Sequence, residues 1–199
     1  MRFLVIVLLI SSAFAAQPDT PSTALYRGWL SMYDLRFDAA HEIFGQWKQT
    51  HPVNALGPAS DAAAYLFSEL SRLGVLESEL FVDDTRYETR ARLRPDPRLK
   101  TLFDREVERA DHLADTSLRY AATDPDALFA KSLNFGLRAD FAALIEKQDL
   151  TALRYTKLGR PFADRLTAVD PKAYDAYLGG RSAQSIPQQS TLSSRTDED

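Results

Sequence analysis

The sequence predicts an all-α chain built from antiparallel helix pairs, and three observations carry that expectation. Between Phe37 and Trp47 apolar residues recur at i, i+3, i+7 and i+10 (Phe37, Ala40, Phe44, Trp47), the spacing of one helical face. From Leu99 to Ala121 the same periodicity runs through Leu102, Phe103, Val107, Ala110, Leu113, Ala114 and Leu118. Asp-Pro dipeptides stand at 96–97, 124–125 and 170–171, each an N-cap aspartate followed by a proline at the first helical position, where a missing N–H costs nothing.

The first residues read as an export signal. Arg2 supplies the positive start, Phe3 to Ile10 the apolar run, and Ala13-Phe14-Ala15 the small-residue cleavage pattern. Cleavage is expected near Ala15 or Ala16, leaving no membrane span, because the apolar run is far shorter than the roughly 20 residues a spanning helix needs. The segments are therefore a signal peptide over 1–16, a helical domain over 20–179 and a polar tail over 180–199, and the location is exported, periplasmic or secreted. The tail is rich in Ser, Gln and Thr and is expected to be disordered.

Composition removes several function classes. The 199 residues contain no cysteine, which excludes thiol catalysis, disulfides, cysteine-bound zinc and a lipid-modified N-terminus. A net charge of -4 is too mild to argue for nucleic acid.

In chain order, the first helix carries Tyr26, Trp29, Leu30 and Tyr33 as packing rings and side chains, with Gly28 at a close approach. Asp34 to Arg36 make the turn and the second helix ends near Thr50. Gly57-Pro58 reads as a break, with Ser60 or Asp61 capping a third helix that runs to Leu73 and stops at Gly74. Residues 75–81 suggest a short helical turn. Residues 83–95 suggest a surface loop whose arginines (Arg86, Arg90, Arg92, Arg94) form a solvated basic run. The long helix from Asp96 should end near Thr123. The next, from Asp124, buries Leu128, Phe129, Leu133 and Leu137, and Gly136 marks a second close approach. A turn is expected at Ala139 and Asp140, then a helix over 141–158, and Gly159 with Pro161 should kink or break it before 162–169. Lys172 to Leu178 reads as a short last helix.

The unit from Gly28 to Pro52 resembles a tetratricopeptide repeat. Gly28 takes the small position of the first helix, Ala40 and Phe44 the A-x3-F pair, and Pro52 the terminal proline of the pattern of about 34 residues. The whole mature region, including residues 76–81 and the helices opened by the Asp-Pro dipeptides, looks like a group of exported bacterial proteins built on such helices. The resemblance implies an α-solenoid of degenerate tetratricopeptide-like pairs that holds a protein or peptide on a curved surface, with no catalytic residue and no cofactor.

The chemistry-bearing patterns are few. His41-Glu42 could open an H-E-x-x-H helix, but the second histidine position is Gly45, so His41 reads as an exposed helix residue. Asp104, Glu108, Asp111, His112 and Asp115 form an acidic stripe that would bind a divalent cation only with carboxylates from another helix. No serine lies in G-x-S-x-G. Lys131, Asn134 and Arg138 align at i, i+3 and i+7 and are the candidate partner-binding residues, suited to an acidic segment or chain terminus. The expected function is a non-catalytic binding scaffold. The alternative is an exported hydrolase or metal-binding protein with an unrecognised carboxylate site.

Overall fold

The computed structural model describes residues 21–76 and 94–171, and its regular secondary structure is all helical. Six α-helices follow in order: α1 (Pro21–Tyr33), α2 (Phe37–Thr50), α3 (Leu56–Arg72), α4 (Pro97–Tyr120), α5 (Pro125–Asp140) and α6 (Asp149–Val169), with a π-helical turn (Phe141–Ile145) between the last two. The expected signal, residues 77–93, the helix expected from Lys172 and the expected disordered tail lie outside the described residues.

Local chemistry explains most boundaries. Asp96 accepts from the Arg98 N–H at 2.7 Å, and Asp124 from the N–H groups of Asp126 and Ala127 at 3.0 and 3.3 Å, so both caps stand where the dipeptides put them. α1 ends in a Schellman arrangement, Arg36 N–H to Ser31 C=O and Leu35 N–H to Met32 C=O, with Leu35 at φ 59. The end of α3 repeats it: Val75 donates to Leu70, Gly74 to Ser71, and Gly74 supplies the positive φ without side-chain strain.

The elements form three antiparallel pairs, α1–α2, α3–α4 and α5–α6. α3 packs on both α1 and α2, and α5 packs on both α3 and α4. Trp29 meets Ser60 and Tyr33 meets Phe67, ascending together, so α1 and α3 run parallel. Most of the buried apolar residues, from Leu25 to Leu166, belong to one continuous core that includes the fully buried Met32, Phe44, Leu66, Leu128 and Ile145. Gly28 lets α1 and α2 approach, since an added Cβ would sit 2.8 Å from Phe44 Cδ1.

The structure corrects five expectations. Gly57-Pro58 does not break the chain: it lies in the first turn of α3, where proline's missing N–H is an orphan anyway, and Gly57 is packed under Trp47 and Lys48. Asn54 caps this helix by accepting from Leu56 N–H at 2.8 Å, and Ser60 and Asp61 are buried inside it. Tyr26, Leu30 and Tyr33 are exposed, and only Trp29 of that set is buried. No turn occurs at Ala139–Asp140, because Phe141, Ala142 and Ile145 are core residues. Phe141 stacks on Phe103 at 5.2 Å, and the wider π turn keeps these side chains inward until Lys147 reverses the chain at φ 54. Finally, α6 runs unbroken through Pro161, and the close approach expected at Gly136 is made by Gly159, whose added Cβ would meet Phe135 Cβ at 2.8 Å; Gly136 faces open space.

Candidate functional site

Lys131, Asn134 and Arg138 do come together, on the face of α5 that packs against α4. Lys131 Nζ lies 3.1 Å from Asp111 and 3.0 Å from Asp115, and Arg138 binds the other oxygen of Asp111 at 2.7 Å. Asn134 donates to Val107 C=O at 3.0 Å and to Asp111 at 3.2 Å. Lys131 is 7% exposed and Asn134 is fully buried, with Oδ1 lacking a hydrogen-bond partner. Phe135 and Phe162, stacked at 5.9 Å, offer their faces to the Lys131 ammonium at 5.5 and 5.4 Å. The donor row and part of the acidic stripe are thus two halves of one network. A peptide carboxylate would have to displace Asp111 to use these donors.

The rest of the stripe is distributed. Asp104 pairs with Lys100 at 2.8 Å, while Glu108 and His112 are exposed. Among the described residues, no three His, Asp or Glu side chains converge at metal-binding spacing.

A second network, unread in the sequence, ties α2, α3 and α4 together. Asp61 of α3 takes His41 Nδ1 at 2.5 Å on one oxygen and Lys48 Nζ at 2.5 Å on the other. Lys48 continues to Glu106 of α4 at 2.9 Å, and Arg105 reaches the other Glu106 oxygen at 3.0 Å. Asp61 and Glu106 are buried, and His41 is half-buried with its ring 4.1 Å from that of Tyr65, so it is not the exposed residue the helix pattern suggests. Burial pushes the Asp61 carboxyl up, but hydrogen bonds from His41 and Lys48 outweigh it and hold the group below its ordinary range. Burial pulls Lys48 down, and its bonds to Asp61 and Glu106 reverse this, leaving it raised. Tyr65 is raised by burial and by the nearby carboxylates.

Glu69, also buried, makes a third link. It binds Arg72 through two bonds of 2.7 Å and accepts from Asp96 N–H at 2.6 Å, fixing where the chain enters α4. In all three clusters each buried acid meets a cation or an N–H donor from its own chain. Charge is compensated internally, and the arrangement sets helix register. One signal was available in the sequence: an antiparallel turn at 121–124 brings the row at 131–138 back opposite the acids at 111–115.

The open surface lies elsewhere. Tyr26, Leu30 and Tyr33 form an apolar stripe on α1 turned away from α2, and the Tyr33 ring meets Phe67 of α3 edge-on at 6.4 Å. Partial burial there raises the Tyr33 hydroxyl. Compared with known proteins, the chain matches no family model, no curated protein and no solved structure.

Proposed function

We propose that this protein is a non-catalytic scaffold that binds a protein or peptide segment, exported and cleaved near Ala15 or Ala16, with its helix pairs stacked as a short tetratricopeptide-like solenoid. The observation that carries the reading is the packing order: each pair's first helix rests on both helices of the preceding pair. Stacking of that kind lines first helices along one face, and on that face α1 offers Tyr26, Leu30 and Tyr33 beside Phe67. Tyrosine suits recognition because it presents a large rigid area with a hydrogen-bonding tip. The ionic clusters support the same reading, since they tie neighbouring pairs together and leave the aromatic stripe accessible.

A photo-crosslinking amino acid placed at Tyr26 or Tyr33 should capture a common partner from the exported fraction, and the same group at Gln49, on the exposed side of α2, should not. Equal labelling from all three positions rejects the surface. Mass spectrometry of the native protein should find Ala16 or Gln17 as the first residue, and an intact leader rejects export with cleavage.

A further inference from the structure

The outer face of α6 combines features that the scaffold reading does not use. α6 packs chiefly on α5 and the π turn. At about 100° per residue, the side chains turned to α5 (Ala152, Tyr155, Gly159, Phe162, Leu166) cluster on one side of the helix. On the opposite side stand Leu150 and Leu153, which are 86% and 62% exposed, while Leu158, 45% exposed, lies at the flank toward Phe162. Interleaved with them are Arg154, Lys157 and Arg160, all exposed. Arg160 has a long contact of 3.7 Å to Asp164, and Arg154 and Lys157 have no acidic partner among the described residues. Asp164 stands on the same side, so the face carries three cations against one acid, a local cationic surface on a chain whose net charge is -4.

The geometry points to α6 as a docking face for an anionic lipid surface. Leucines and basic side chains sharing one helix face fit a bilayer interface: the apolar groups enter the headgroup boundary while the cations meet lipid phosphates. A single outward helix face is not the wall of a cleft, so a soft, extended anionic surface complements it better than a folded peptide does. The contact is peripheral, since among the described residues no helix is long and apolar enough to cross a membrane.

Vesicles of equal parts phosphatidylglycerol and phosphatidylcholine test this by co-flotation with the full-length mature chain at low salt. Expected are at least ten-fold more bound protein than on pure phosphatidylcholine and loss of most binding at 0.5 M salt. At least a five-fold drop is expected for both Arg154→Ala with Lys157→Ala and Leu150→Ser with Leu153→Ser. These side chains are exposed, so circular dichroism should show unchanged helicity. Leu30→Ser, on the α1 stripe, should bind as the parent does. Absence of flotation overturns the proposal, as does binding indifferent to either double substitution, or binding to soluble polyglutamate without binding to vesicles, which would assign the face to an acidic protein. Crosslinking at Tyr33 reads the scaffold separately, and neither result depends on the other.

Discussion

The Phe44 ring fills the space that a side chain on Gly28 would need: a Cβ there would stand 2.8 Å from Cδ1 and Cζ of the fully buried ring and closer still to Cε1. The ring is locked by its contacts with Trp29, at 6.3 Å and 67°, so it cannot swing aside cheaply. Gly28→Ala should therefore destabilise by about 1–3 kcal/mol despite alanine's better helix propensity. Gly136→Ala, with nothing within reach of its Cβ, should stabilise by about 0.4–1 kcal/mol. Urea midpoints of the two variants should move in opposite directions, and a shared direction would contradict the packing described for one of them.

Lys48 stands between two buried carboxylates, so its removal leaves Asp61 with only His41 and Glu106 with only Arg105. Lys48→Met should cost about 3–5 kcal/mol, the range for breaking a buried pair. Adding Asp61→Asn and Glu106→Gln to Lys48→Met should recover a large part of that loss, because no buried charge is then left unpaired. An additive triple variant would show that the three side chains do not act as one network.

The same pair fixes two pH limits. Asp61 is held below its ordinary value near 3.8, so its contribution is complete above that value and is lost as pH falls through the lower folded value. Lys48 is raised above 10.5, so its contribution is complete below that value and is lost as pH rises through the higher folded value. Melting temperature should fall at both extremes. In Asp61→Asn the acid slope below about pH 4 should flatten, and an unchanged slope would remove Asp61 from the account.

Leu35 adopts φ 59 at the position where a Schellman turn favours glycine, and its side chain is exposed. Relief of left-handed strain, about 1–2 kcal/mol, exceeds the extra unfolded-state entropy of glycine, about 0.5–1 kcal/mol. Leu35→Gly should thus raise stability by about 0.5–1 kcal/mol, read as a higher urea midpoint. A drop would mean that Leu35 packs on its neighbours.

Helix starts were legible wherever a side chain two residues from the N–H it accepts from decides them, as at Asp96 and Asp124. The core stripe of α2 was legible too, since Ala40, Phe44 and Trp47 are buried together as their spacing requires. The candidate site was legible only in half: the alignment of Lys131, Asn134 and Arg138 was right, and what they face was not.

By itself, then, the sequence determined the helical class, the capped helix starts and the apolar faces, because each depends on residues within a few positions of one another. Tertiary structure decided which polar groups are buried and the course of the chain after α5. His41 and Asp61 meet across helices, as do Lys131 and Asp111, and Phe141 stays inward because Phe103, far away in sequence, supplies its ring partner. A helical period reports that a face is polar. Whether that face meets water or an opposite charge depends on the register of another helix, which no local pattern encodes.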